Sequence, residues 1–119
     1  MGLFKKKKKT EPKPVPPIAY AYTQTENYRG FKRIKLSSYG YKPAQDGIHA
    51  LTGSDLTGAE IQIRVFRDDA PRCVVVVGGY EIGTVWQHSF DQFDALSTGK
   101  VEAIRVEIRD GESFLFYKV

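Results

Sequence analysis

From Ile18 onward runs in which apolar and polar residues alternate keep recurring, and no segment sustains a helical period of 3.6 for long. Side chains alternate across a pleated strand, so this pattern predicts a mainly β chain. The segment EIQIRVFR sets Ile61, Ile63 and Val65 on one face, with Gln62, Arg64 and Phe66 on the other. Residues 100–119 hold two alternating runs joined by Asp110-Gly111, a dipeptide suited to a two-residue type I′ hairpin turn. That turn pairs Arg109 with Glu112, and so sets Ser113, Leu115 and Tyr117 opposite Ile108, Val106 and Ile104 on an apolar face. The other face pairs Glu107 with Phe114 and Arg105 with Phe116.

The stretch VVVVGGYEIGTVW, residues 74–86, raises a different question, because a β-branched run ending in glycines is also how a dinucleotide-binding loop begins. Such a loop needs G-x-G-x-x-G leading into a helix whose N-terminus receives the pyrophosphate. Here the order is Gly78-Gly79-x-x-x-Gly83, the residues that follow are β-branched and aromatic, and no Gly-Lys-Ser/Thr ending is present. The glycines therefore read as a hairpin turn. It pairs Val77 with Tyr80 and Val75 with Ile82, and leaves Gly83 opposite Val74, where a missing side chain permits a bulge or close packing.

One helix is predicted. SFDQFDALSTG offers Ser89 as N-cap, Gln92 three residues on, Phe90, Phe93 and Leu96 on one side, and Gly99 just past the end. It is expected over an open end of the sheet. Upstream, FKRIKLSSYGYK reads as a strand running into a loop, and YAYTQTENY as an edge strand or an ordered extension. GIHALTGSDLTG leaves a short helix near His49 and a turn both open.

Charge changes the picture once it is divided along the chain. Residues 1–17 hold six lysines and one glutamate; residues 18–119 hold twelve Lys/Arg against thirteen Asp/Glu, a net −1. The segment 1–17 is predicted to be a disordered Lys/Pro-rich tail able to touch polyanions or an anionic membrane, and 18–119 a single β-rich domain. Gly2 lacks the Ser/Thr that myristoylation wants at the sixth position, which here is Lys6. Cys73, the one cysteine, lies inside the valine run and reads as an inert buried thiol. No stretch approaches a membrane span and no apolar signal segment opens the chain, so the expected compartment is the cytoplasm.

The order of these elements resembles the HIRAN domain: a strand (Ile61, Ile63, Val65), an acidic loop with a proline (FRDDAPR, 66–72), an apolar strand (CVVVV), a glycine turn, YEIGTVW with its IG pair, a short helix and a final hairpin. The resemblance covers about residues 60–119. It implies a small antiparallel β-barrel of the OB/SH3-like kind, and a module that binds the end of single-stranded DNA. The loop departs from the family pattern, being shortened to Arg67-Asp68-Asp69-Ala70-Pro71-Arg72 and lacking the asparagines. Binding of that type uses aromatic platforms with cationic neighbours. The candidates here are Tyr39, Tyr41, Tyr80 and Trp86, with Arg67 and Arg72 in the loop.

Catalytic chemistry has little to draw on. His49 and His88 lack metal-site spacing, and Asp68-Asp69 reads as turn capping because neighbouring strand-end residues point apart. The chain is thus expected to be no enzyme, with neither metal nor cofactor. Its expected partner is single-stranded DNA or another nucleic acid; the alternative is a protein-interaction or assembly module.

Overall fold

The computed structural model describes residues 18–119; the disorder predicted for 1–17 lies outside the described residues. In chain order the elements are β1 (Ile18–Thr23), β2 (Lys32–Lys35), α1 (Lys42–Leu51), β3 (Glu60–Phe66), β4 (Arg72–Val77), β5 (Tyr80–Trp86), α2 (Phe90–Ser97), β6 (Ala103–Arg109) and β7 (Glu112–Lys118). The fold is mainly β, in two antiparallel sheets ordered β1-β3-β4-β5 and β2-β7-β6. Their inner faces share one core. Ile61, Ile63 and Val65 of β3 meet Cys73, Val75 and Val77 of β4, with Ile104, Val106, Leu115 and Tyr117 supplied by the β6–β7 hairpin. Each large aliphatic side chain buried there contributes about 1.5–3 kcal/mol.

The sequence predicts a barrel; the strands are hydrogen-bonded as two sheets that meet at two corners. At the first, Gln24 bridges to Ile104, and its buried amide donates to the Val106 carbonyl (3.0 Å) and accepts from the Val106 N–H (2.9 Å). A side chain thus satisfies main-chain groups that would be costly to bury unpaired. At the second, Ser37 and Thr84 exchange both main-chain hydrogen bonds at 2.9 Å, and the Ser113 hydroxyl donates to the Ile82 carbonyl.

The β6–β7 hairpin has the predicted register throughout, from Arg109 opposite Glu112 to Ile104 opposite Tyr117. Asp110 (φ 50°) and Gly111 (φ 77°) both take the left-handed conformation of a type I′ turn. The β4–β5 hairpin also turns on two left-handed residues, Gly78 and Gly79, and continues into a strand as a hairpin should. Its register departs from the expected one beyond the first two pairs. Val76 faces Glu81, but Val75 faces Gly83 and Val74 faces Thr84, so Ile82 is an extra residue in a bulge. The residue just past the slip, Gly83, stands in the crowded second corner. A Cβ on Gly83 would lie 2.5 Å from the Leu36 Cβ and 3.3 Å from the Ser37 carbonyl oxygen, so only a residue without a side chain fits where β2 crosses β5.

The ambiguous GIHAL region forms the C-terminal half of α1, a ten-residue helix with a proline in its first turn. Gly47 in its middle weakens the helical signal, and packing explains it. A Cβ there would fall 1.9 Å from the Glu81 carbonyl oxygen, so glycine lets α1 lie against the backbone of β5. In α2, Phe93 and Leu96 enter the core as predicted, whereas Phe90 stands 70% exposed. The Ser89 carbonyl accepts the Phe93 N–H (2.8 Å) and starts the helix, although its hydroxyl makes no capping bond.

Candidate functional site

The outer face of the four-stranded sheet carries the residues that the core does not use. Phe66, Arg72 and Trp86 form one cross-strand row, followed by Arg64, Val74 and Thr84, then by Gln62, Val76 and Glu81. The bulge sets this arrangement. A side chain changes face with every one-residue slip of register, so regular pairing that kept Ile82 opposite Val75 would turn Thr84 and Trp86 toward the core.

Over this face folds the loop 37–41, anchored by the Ser37–Thr84 bridge and by Gln45 Nε2 donating to the Ser38 carbonyl (3.1 Å). Gly40, at φ 72°, gives the sharp turn that lets the loop double back. Between loop and sheet lies a cleft of about 330 Å³, with Val74 and Thr84 beneath it and Tyr39, Tyr41, Phe66 and Trp86 around it. That is the low end of the range for small-molecule sites and is large enough for a planar ring.

Two of its aromatics differ in freedom. The Tyr41 hydroxyl donates to Glu81 Oε1 (2.8 Å), which pins it across the cleft. That hydrogen bond holds the phenol above its ordinary pKa, with burial and the Glu81 charge adding and Arg72 opposing. Tyr41 is therefore a protonated donor at neutral pH. Tyr39 is 97% exposed, so no packing inside the fold accounts for its ring. The cations are more constrained. The Arg72 guanidinium stacks over Phe66 at 4.3 Å and donates to Asp68 Oδ1 (2.9 Å) and to the Ala70 carbonyl (2.8 Å). Asp68 also accepts the Ala70 N–H (3.0 Å), the chief reason its carboxyl sits below the usual range; it caps the turn as expected. Arg64 donates through Nε to Gln62 (3.1 Å) and also lines the cleft.

Of the six residues singled out in the sequence, four meet here: Tyr39, Tyr41, Arg72 and Trp86. Arg67 does not join them. It reaches the other way, over the Phe93 ring at 5.8 Å and to the Ser97 carbonyl at 3.4 Å. Tyr80 sits at the β4–β5 turn beside α1, exposed but outside the cleft lining. Arg64, Phe66 and Glu81 belong to the site without having been singled out. The first two were legible as the outward half of EIQIRVFR; Glu81 needed the fold of the 37–41 loop to acquire a partner.

Cys73 is buried, and burial pushes its thiol up to about 12, leaving it a neutral core group. Among the described residues no cluster of three His, Cys, Asp or Glu side chains is placed to hold a metal ion, and no helix is long and apolar enough to cross a membrane. No protein-family model, no curated protein and no solved structure matches this chain.

Proposed function

We propose that this chain is a non-enzymatic nucleic-acid-binding module of the HIRAN kind, a small cytoplasmic barrel whose two sheets close on each other through the Gln24 and Ser37 corners. It takes the end of a single-stranded DNA into the cleft beneath the 37–41 loop. The observation that carries this reading is the convergence of Tyr39, Tyr41, Phe66 and Trp86 with Arg64 and Arg72 on one concave surface. A base stacks on any aromatic face, at about 1–3 kcal/mol each, and neighbouring guanidinium groups offset phosphate charge. Because Arg72 is already tied to Asp68, its part is to hold Phe66 flat and lend positive potential to the cleft.

The test is fluorescence anisotropy of a labelled single-stranded oligonucleotide with a free 3′ end, titrated with the full chain. Trp86→Ala should weaken binding by about 1–3 kcal/mol with little change in salt dependence, since stacking releases few counterions. A wild-type chain that fails to bind at low salt would sink the reading. The alternative, a protein-interaction or assembly module, would then take over; what favours it is Phe90, a large apolar ring exposed at the start of α2.

A further inference from the structure

The near-neutral charge of residues 18–119 conceals a segregation. Residues 27–45 contain Arg29, Lys32, Arg33, Lys35 and Lys42 and no acidic residue, a net +5. The remainder of 18–119 holds seven Lys/Arg against thirteen Asp/Glu, which is −6. In space this basic segment is the turn before β2, β2 itself, and then the loop over the cleft. β2 is the outermost strand of its sheet and pairs only with β7.

Three of these cations, Arg29, Lys32 and Arg33, are exposed and have no acidic side chain within salt-bridge distance among the described residues. Lys35 shares its charge with Glu112 at 2.7 Å. Arg33 stacks over Phe114 at 4.8 Å, which holds the guanidinium flat while leaving its edge N–H groups free to donate. Lys32 and Arg33 are adjacent on the strand and so project to opposite faces, flanking the unpaired edge of β2; a negatively charged chain laid along that edge is met from both sides, and these cations give up no internal ion pair on binding. A strand advances about 3.3 Å per residue, so the step from Lys32 to Ser37 spans about 16 Å of surface ending at the cleft.

We propose that β2 and the turn before it form the phosphate track for the single strand whose end occupies the cleft. Arg29, Lys32 and Arg33 meet its phosphodiester groups, and the bases face solvent until the last one enters between Tyr39 and Trp86. The inference rests on the cleft reading and assigns the electrostatic part of binding to a separate surface.

The experiment uses the full chain, wild type and Arg29→Gln/Lys32→Gln/Arg33→Gln, with two DNA probes, a dinucleotide and a labelled 12-mer. The segment 1–17 is common to both proteins, so it cancels in the comparison. Three lost phosphate contacts should flatten the slope of log affinity against log salt for the 12-mer by about two, while dinucleotide binding stays unchanged. The charge-preserving Arg29→Lys/Arg33→Lys should retain the wild-type slope. An unchanged 12-mer slope, with Trp86→Ala still weakening binding, would overturn the track and leave the cleft standing. Equal losses on both probes would overturn it as well, because the variant would then be acting on the cleft. Failure of the wild type to bind either probe at low salt would remove both readings. Displacement of the 12-mer by poly-glutamate at equal charge concentration would make an acidic polypeptide the occupant and overturn a nucleic-acid track.

Discussion

The two hairpins start from the same device, a two-residue turn of left-handed residues, and end differently. β6–β7 runs in unbroken register with its outer face tied up in its own contacts: Glu107 accepts from Arg105 (3.1 Å) and Arg109, and Arg109 lies over Phe114. β4–β5 carries one extra residue, and beyond that bulge Thr84 and Trp86 face the cleft instead of the core. The regular hairpin builds the scaffold; the irregular one aims a tryptophan at solvent. A local break in a ladder is a compact way to redirect a side chain without moving the strand.

Deleting Ile82 attacks the difference most strongly. It removes a fully buried side chain together with the bulge, while the pairs from Val75–Gly83 onward can stay as they are, so stability should fall by about 2–5 kcal/mol with Trp86 still facing the cleft; an unchanged melting curve would mean the bulge is dispensable. Substitution at the close approaches comes next. Gly83→Val and Gly47→Ala should each destabilise by roughly 3 kcal/mol, the upper end of overpacking costs, because their neighbours include main-chain atoms that cannot rotate away. Urea titration measures this, and a change below about 1 kcal/mol would show that α1 and the Ser37 corner are loosely seated. The turns themselves should behave alike. Gly79→Val and Gly111→Val each force a branched residue to positive φ at an open site and should cost about 1 kcal/mol or more, equally in both hairpins.

The smallest effect expected is the share of the pH dependence that Glu107 gives the regular hairpin. Burial raises the Glu107 pKa, but hydrogen bonds from Arg109 and Arg105 outweigh it and leave the carboxyl below its ordinary value. A group depressed in the folded state stabilises fully above its unfolded pKa and loses that contribution as pH falls through the folded value. Thermal melts from neutral pH into the acid range should therefore show a shallower decline for Glu107→Gln than for wild type. Cys73 offers a check on both hairpins at once, since a thiol near 12 should resist alkylation at pH 8 until the domain unfolds.

The regular parts were the legible ones. Asp110-Gly111 dictates one turn type, and strict alternation on both sides carries the register of β6 and β7 to their ends. The bulge was half legible: Gly83 signals a missing side chain, but the residue that crowds it, Leu36, lies forty-seven positions earlier in the chain. Gly47 is the same case, a glycine whose reason lies in another element. The cleft was legible as residue types and not as a place. Nothing local to Tyr39 or Tyr41 says that their loop folds over β5, and nothing local to Arg67 says that it turns away toward Ser97. Phe90 misled because its spacing fits the buried stripe, whereas its position at the first turn of α2 leaves it outside. The net charge misled in the other direction by averaging a basic strand against an acidic remainder.

Trp86 is the only tryptophan in the sequence and it lines the cleft, so its emission reports on that site alone. Titrating the full chain with a short single-stranded oligonucleotide at low salt, while following tryptophan fluorescence and the anisotropy of a label on the DNA, shows whether the cleft receives the strand. Saturable quenching that tracks the anisotropy curve is expected, with both shifted to about 5–150-fold weaker affinity in Tyr39→Ala, the equivalent of one lost stack. Binding seen by anisotropy with the tryptophan emission unmoved would place the nucleic acid elsewhere on the chain and contradict the cleft reading.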